Sequence, residues 1–456
     1  MKTKLAAALA VAGLGLSLTA CGGSAHTDPP RSTVTRTPAP SGAGGSPAQQ
    51  YTGCMRAHGI HGFPNPVDGH ITLTPASGVN PNSPQFQAAS KVCAKYGPSG
   101  GTPPGSAPGT TTGSAGGSPA AAASPATWHQ YAAWLDKRAK AGRFSGAVLV
   151  AEPHGQLLDA GYGLANRSTH VANTPQTQFC IASIGKLFTA VAIAQLAQQH
   201  KLSFQALVGT YIGGLPAAIA QNVTIGNLLD MTSGLGNFVL GQRNPPLTLA
   251  GMVAEIAKEH PQSVPGAQFL YSNDGYILLG AVVQQVSGQS YATYLRQHIF
   301  GPAGMTHTGY RVYTPADVPG MAHGYALTGS KLQDISDMPQ IANPSGGAYS
   351  TTGDLLAFAR ALLDHRLLSP AMTATILIPR VNSPQPGGPP VDKYTYGFAY
   401  QQINGVTFVG HNGGTPGYEG QIDIYPHTGD IVVVLTNQVQ TMLPAIQRSE
   451  AVLTAA

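Results

Sequence analysis

Ser183 and Lys186 stand three residues apart in the run Phe179-Cys-Ile-Ala-Ser-Ile-Gly-Lys-Leu-Phe-Thr-Ala-Val-Ala-Ile-Ala-Gln-Leu-Ala197, which is otherwise almost wholly apolar. No other Asp, Glu, Lys or Arg occurs between Arg167 and Lys201, so Lys186 has no counter-ion close in sequence. If Ser183 opens a helix, positions i and i+3 face the same way. A serine hydroxyl is a poor nucleophile at neutral pH, and a lysine that desolvation keeps neutral can take its proton. The helix N-terminus adds partial positive charge that favours a developing alkoxide. Taken alone, S-x-x-K arises by chance, and an N-capping serine beside a snorkelling lysine is the simpler reading. Two other chemistries are excluded. A phosphate loop would need glycine where Cys180 stands and Ser or Thr where Leu187 stands, and the G-x-S-x-G nucleophile elbow is absent around Ser183.

Two further motifs follow in order. Pro265-Gly-Ala-Gln-Phe-Leu-Tyr271-Ser-Asn273-Asp-Gly-Tyr276 precedes an expected helix, and Gly410-His411-Asn-Gly413-Gly414-Thr-Pro-Gly417 precedes an expected strand. S-x-x-K with S-D-N and K-T-G elements marks penicillin-binding proteins and class A β-lactamases. With Tyr-Ser-Asn and His-Asn-Gly in those places, the chain resembles the serine β-lactamase and D-alanyl-D-alanine carboxypeptidase family, in the branch of class C β-lactamases and related esterases. Gly161-Tyr-Gly-Leu-Ala-Asn166, Thr224-Ile-Gly-Asn-Leu-Leu-Asp-Met-Thr-Ser-Gly-Leu235, Ile299-Phe-Gly-Pro-Ala-Gly-Met305 and Pro344-Ser-Gly-Gly-Ala-Tyr-Ser-Thr351 extend the resemblance over about residues 127 to 440.

The resemblance implies roles. Ser183 would form an acyl-enzyme, Lys186 would share or accept its proton, and Tyr271 would exchange protons with the serine and the leaving group. Asn273 would hydrogen-bond the substrate amide, and the backbone N–H groups of Ser183 and Gly414 would form an oxyanion hole. Gly413, Gly414 and Gly417 suit a strand edge that substrate approaches closely, although a loop is their simpler reading. His411 is a departure, because class C β-lactamases carry Lys there. A neutral imidazole offers less permanent charge for a substrate carboxylate, but it can donate a hydrogen bond or titrate near neutrality. The favoured substrate is a D-alanyl peptide of the cell wall. A β-lactamase or esterase is the alternative within the class, and a slow-turnover penicillin-binding sensor the alternative outside it. No cofactor is implied, and without H-E-x-x-H no metal either.

These residues need a scaffold. Thr127 to Lys140 reads as a helix with Trp128, Tyr131, Trp134 and Leu135 on one face. Phe144 to Ala151 and Gln156 to Ala165 read as a hairpin. Thr395 to Ile403, Val406 to Val409, Gln421 to Tyr425 and Ile431 to Thr436 read as later strands, with Asn404-Gly405 as a turn. Helices are expected at Leu187 to His200, Ile225 to Met231, Tyr276 to Ser287, Ser290 to Ile299 and Thr352 to Leu363. Strands at both ends with helices between predict an α+β fold, in which one antiparallel sheet built from both termini lies beside a helical region. The resemblance implies the same β-lactamase/transpeptidase-like fold, an α/β sandwich with an all-helical subdomain.

The N-terminal third is organised differently. Lys2 and Lys4, the apolar run Leu5 to Leu18 and the tetrad Leu18-Thr-Ala-Cys21 read as a lipoprotein signal over residues 1–20, with Cys21 lipidated. The expected location is therefore extracytoplasmic, lipid-anchored at a bacterial cell membrane. Residues 21–50 and 98–126 are Ser/Pro/Gly-rich linkers, each with a random-coil reach of roughly 30 Å. Between them residues 51–97 hold Cys54 and Cys93, which export allows to pair. That closure removes roughly 4 kcal/mol of unfolded-state freedom on the chain-entropy model. His58 would share a helix face with Cys54, but a disulfide accounts for both cysteines with fewer assumptions than a metal. Cys180 reads as a small core residue. Residues 127–456 form the hydrolase domain. A net charge of +5 with only 9% charged residues and no basic run excludes a nucleic-acid partner, and the oligomeric state is left open.

Overall fold

A computed structural model describes residues 47–61, 63, 89, 92–93, 125–242, 244–329, 331–383 and 392–455. They fall in two compact units divided between Ala115 and Gly116. The expected signal segment, Cys21 and most of both linkers lie outside the described residues. None of the described helices is long and apolar enough to cross a membrane.

In the first unit, helix α1 (Pro47–Ala57) carries Cys54 into a disulfide with Cys93, as expected. Met55, Ile60, Phe63 and Ala89 bury around the bridge. The Arg56 guanidinium donates to the Phe63 carbonyl at 2.7 Å, tying the loop back to the helix.

In the second unit, strands β1 (Gly146–Glu152) and β2 (Gly155–Tyr162) form the expected hairpin. β3 (Phe179–Ala182) pairs with β4 (Ala348–Ser350) away from the main sheet. The remaining strands of the main sheet are β5 (Val381–Asn382), β6 (Lys393–Tyr394), β7 (Ala399–Ile403), β8 (Val406–Thr415), β9 (Tyr418–Ile424) and β10 (Ile431–Thr436). Hydrogen bonding orders the main sheet β5-β6-β7-β8-β9-β10-β1-β2, antiparallel throughout. Both ends of the unit therefore build one sheet, as predicted. The helices that matter here are α2 (Pro125–Lys140), α3 (Lys186–Gln198), α4 (Asn273–Ser287), α5 (Thr352–Leu363) and α6 (Met442–Leu453).

Strands β1 and β10 are apolar at nearly every position because both faces of the sheet are covered. Ala147, Leu149, Val433 and Leu435 join the core that includes α3, α4 and α5. Val148, Val150, Val432 and Val434 join Trp128, Tyr131 and Leu135 of α2 and Ile446 of α6. Helix α3 is apolar all round, and Lys186 to Leu196 are buried, as the interior helix of a large core requires. It opens on a 3-10 turn, Ser183–Gly185, so the serine sits one turn ahead of regular helix.

Three expectations shift. The strand proposed for Thr395 to Ile403 is broken, since Gly397 takes φ +96° in a turn closed from Thr395 N–H to the Phe398 carbonyl. The strand from Val406 runs on to Thr415, so the His-Asn-Gly motif lies inside β8 instead of in front of a strand. Its glycines answer to close packing: a Cβ on Gly410 would fall 1.8 Å from the Ile422 carbonyl oxygen. Finally, the helix from Ser290 is α-helical over Tyr291–Leu295 and then widens into a π-helical turn, Arg296–Phe300.

Phe188 is fully buried between Phe300 and Phe358, with ring centroids 5.2 and 5.0 Å away at near-perpendicular angles. Phe188→Ala is expected to cost about 3–5 kcal/mol. It should lower the thermal unfolding midpoint by several degrees, whereas an unchanged midpoint would contradict this packing.

Candidate active site

The nucleophile turn is built under constraint. Ala182, the last residue of β3, has φ +43° and ψ −128°, a conformation that costs a non-glycine residue on the order of 1–3 kcal/mol. It is held there from two sides. The Gly347 N–H donates to the Ala182 carbonyl at 3.1 Å, and Gly346 packs so closely that a Cβ on it would lie 2.6 Å from that same oxygen. From the sheet side, a Cβ on Gly413 would lie 2.3 Å from the Ile181 carbonyl oxygen and 2.9 Å from the Ser183 nitrogen. Gly413 thus serves the approach of the protein's own backbone, not that of substrate. Gly414 is different: it is exposed, faces open space and lines the cleft with Ser183.

Lys186 is completely buried. Its Nζ lies 2.6 Å from the Ser345 carbonyl oxygen, 2.7 Å from Asn273 Oδ1 and 3.2 Å from Ser183 Oγ. None of the salt bridges among the described residues involves it. The Tyr271 and Tyr276 rings lie 4.8 and 5.4 Å from Nζ. Burial drives its pKa well below the usual lysine value. A neutral amine has two N–H donors and one lone pair. The two short contacts accept the donors, which leaves the lone pair directed at the Ser183 hydroxyl.

Tyr271 donates its O–H to Ser183 Oγ at 2.8 Å. Burial raises the phenol pKa above its ordinary range, partly offset by this hydrogen bond, so it stays protonated at neutral pH. Ser183 Oγ is therefore held between a lysine that can receive its proton and a tyrosine that can supply one. The turn carrying Tyr271 and Asn273 leads into α4, capped by Ser272, whose Oγ accepts the Gly275 N–H at 2.8 Å.

His411 is placed otherwise than the expectation that it titrates near neutrality. It pairs across the sheet with Ile422, is buried, and its ring centroid lies 6.4 Å from that of Tyr271. Nδ1 lies 2.5 Å from the Asn412 carbonyl oxygen, so it carries the proton, and Nε2 accepts from the Tyr394 O–H at 3.0 Å. Burial is the main cause that lowers its pKa to about 3, with the bond to Asn412 opposing. The ring is thus neutral, with both nitrogens engaged.

The cleft over Ser183 has a volume of about 360 Å³. Leu240, Pro245, Met338, Pro339 and Ile341 give it apolar walls, while Asn273, Ser345, Gly414 and Thr415 place polar groups near the serine. Among the described residues that line it there is no Asp, Glu, Lys, Arg or His. Elsewhere, Cys54 and Cys93 sulfurs and a His58 ring nitrogen lie within 4.8 Å of one another, but both sulfurs are taken by the disulfide. Cys180 is a buried free thiol, as expected.

The structure therefore brings Ser183, Lys186, Tyr271 and Asn273 into one hydrogen-bonded cluster, sets Gly414 beside it, and keeps His411 behind Tyr271. Sequence reasoning missed two partners. Ser345 offers only its backbone carbonyl, which no side-chain motif advertises, although it lies in the quoted Pro344-Ser-Gly-Gly segment. Asn237 accepts the Asn273 N–H at 2.9 Å from 36 residues away, a separation with no local signal.

Comparison with known proteins places this geometry. The profile of the Beta-lactamase family matches residues 131–456. Penicillin-binding protein 4 of Amycolatopsis lactamdurans is 29% identical over 309 residues, covering 64% of this chain and 80% of its own. The crystal structure of a penicillin-binding protein from Bacillus halodurans superposes with a TM-score of 0.63 at 31% identity, covering 70% of this chain and 98% of that one. D-amino acid amidase from Ochrobactrum anthropi SV3, solved with L-phenylalanine amide, shares the fold with a TM-score of 0.63 at 23% identity, covering 72% of this chain and 97% of that one. The chain belongs to the beta-lactamase family and is a serine hydrolase of the β-lactamase/transpeptidase-like fold.

Proposed function

We propose that the protein cleaves an amide or ester through an acyl-Ser183 intermediate, and that its substrate bears no carboxylate beside the scissile bond. The carrying observation is the Ser183–Lys186–Tyr271 cluster under a cleft whose described lining residues carry no charged side chain. Neutral Lys186 takes the Ser183 proton as Oγ attacks the carbonyl carbon. Tyr271 passes a proton to the departing amine or alcohol and is reprotonated by the one Lys186 has taken, which restores the neutral amine. Water then attacks the acyl carbon, the same groups return the proton to Oγ, and the free acid leaves. The backbone N–H groups of Ser183 and Gly414 are assigned to the oxyanion, a role worth about 3–4 kcal/mol per donor in comparable sites. Asn273 Oδ1 is engaged by Lys186, so its Nδ2 is the group offered to a substrate carbonyl.

The second reading, a D-alanyl peptidase or penicillin-acylated protein, draws support from the relatives called penicillin-binding proteins. Both of those substrate types present a carboxylate, and neutral His411 with both nitrogens engaged supplies no cation for it. From the Leu18-Thr-Ala-Cys21 tetrad we also infer export and lipid anchoring. In the native host, Cys21→Ser should move the protein out of the membrane fraction.

Ser183→Ala and Lys186→Ala should each abolish labelling by a fluorophosphonate. Labelling retained at another serine would sink the assignment. Because burial holds Lys186 below its usual pKa, the labelling rate should rise with pH on the acid side as Lys186 loses its proton. His411→Gln should leave no limb near pH 6.5 missing, since the ring does not titrate there.

Among substrates, nitrophenyl esters and neutral amino acid amides should turn over faster than a D-Ala-D-Ala peptide or a chromogenic cephalosporin. The reverse order would favour the second reading, and a stable adduct without turnover would favour a sensor.

A further inference from the structure

Two carboxyl groups that acyl transfer does not use are buried together beside the Tyr271–Asn273 turn: Glu259, 7% exposed, and Asp274, 0% exposed. Glu259 Oε1 accepts the Gly236 N–H at 2.8 Å. Asp274, on the first turn of α4, accepts the N–H groups of Phe238 and Val239. The same loop is tied a third time, by Ser272 Oγ donating to the Gly236 carbonyl at 3.1 Å. The residue in the middle is Asn237. Its Oδ1 accepts the Asn273 N–H at 2.9 Å, and its Nδ2 donates to the Tyr271 carbonyl at 3.4 Å. One asparagine thus joins the backbone of the two residues whose side chains reach Ser183 and Lys186.

Glu259 and Asp274 accept from backbone N–H groups on either side of Asn237 in one short loop, and the charge of Glu259 bears on Asp274. Glu259 Oε2 meets no N–H or O–H donor among the described residues. Two carboxyl groups buried over the same loop disfavour double ionisation, so one of them keeps a proton. Among the described residues, other ionisable groups do not relieve the pair. Glu255 and Lys258 bind each other at 2.6 Å on the surface, and His260 is exposed. Residues 231–242 contain no ionisable side chain. On α4, Tyr276 donates instead to the Leu229 carbonyl. None of the salt bridges among the described residues involves either carboxyl.

We propose that Glu259 and Asp274 hold one proton between them and act as a positioning pair, fixing the Gly236–Val239 loop so that Asn237 keeps the Tyr271–Asn273 turn in register with Ser183 and Lys186. The proposal rests on the acyl-Ser183 reading for its effect on rate. Burial, then the charge of Glu259, raise Asp274 to about 7, and Glu259 is raised as well, chiefly by burial. The sign follows. A carboxyl whose folded pKa lies above its unfolded value adds stability that is complete below the ordinary carboxylate range. That stability is lost as pH rises toward about 7, where the shared proton leaves and two buried carboxylates repel.

The test uses the full chain, with fluorophosphonate labelling rates and thermal melting followed from pH 5 to 9. In the native protein, labelling should fall as pH passes about 7. Glu259→Gln cannot ionise and still accepts from Gly236, so it should remove that alkaline fall and flatten the accompanying loss of melting temperature. Asn237→Ala and Glu259→Ala should each slow labelling at pH 6 roughly ten-fold, about the effect of one lost hydrogen bond. Their double variant should be no slower than the slower single. An alkaline fall unchanged in Glu259→Gln, or losses that multiply in the double variant, would overturn the proposal. Melting reads the pair even if Ser183 takes no label, so a failed acyl-serine reading shows up separately as absent labelling with Glu259→Gln still flattening the melting profile. If Glu259→Ala does not fold, Glu259→Gln decides the question alone.

Discussion

The site depends on burying a lysine with no carboxylate beside it. An isolated ammonium in a protein interior is so costly that the group sheds its proton instead. At Lys186 that outcome is the useful one. Its surroundings are arranged to satisfy an amine: a backbone carbonyl and an amide oxygen take the two N–H groups, which leaves the lone pair for Ser183. Placing an acid within reach would restore the charge and remove the base. The apolar helix that Lys186 heads, buried on every side, supplies the low-dielectric surroundings.

The rest of the unit holds that arrangement still. The central strands are covered on both faces, so β8 cannot shift without disturbing two cores. Gly413 on β8 and Gly346 on the opposite turn then close on the backbone of residues 181–183 at distances no side chain could share. The strain at Ala182 is tolerable because those contacts over-determine it. Rigidity thus reaches Ser183 through glycine-mediated backbone contacts, not through side chains that interlock around it.

This division explains what could be read from the chain. Ser183, Lys186, Tyr271 and Asn273 were legible because each sits in a short run whose residue types carry the chemistry. The sheet built from both ends was legible in the alternating and apolar strands. The glycines at 410–414 misled, since glycine-rich sequence reads equally as loop and as strand under close packing, and only tertiary contact decides. The side of β8 on which His411 lies is likewise a matter of register, because one step along a strand reverses the face. Asn237 and Glu259 were hidden for a different reason. They act on backbone groups far away in sequence, and a backbone partner leaves no mark in residue type.

The lack of charge among the described residues of the cleft and the neutral lysine are two aspects of one electrostatic requirement. A substrate carboxylate held ~6 Å from Nζ would favour the ammonium by about 3 kcal/mol at an effective dielectric near 20. That is about two pK units, enough to undo much of what burial achieves. A relative with a fixed cation at the position of His411 can neutralise such a carboxylate before the lysine responds to it. Here His411 is neutral, with both ring nitrogens spent on Tyr394 and Asn412. A substrate that brought a carboxylate to this site would weaken its own general base, whereas a neutral ester or amide would leave Lys186 as the fold prepares it.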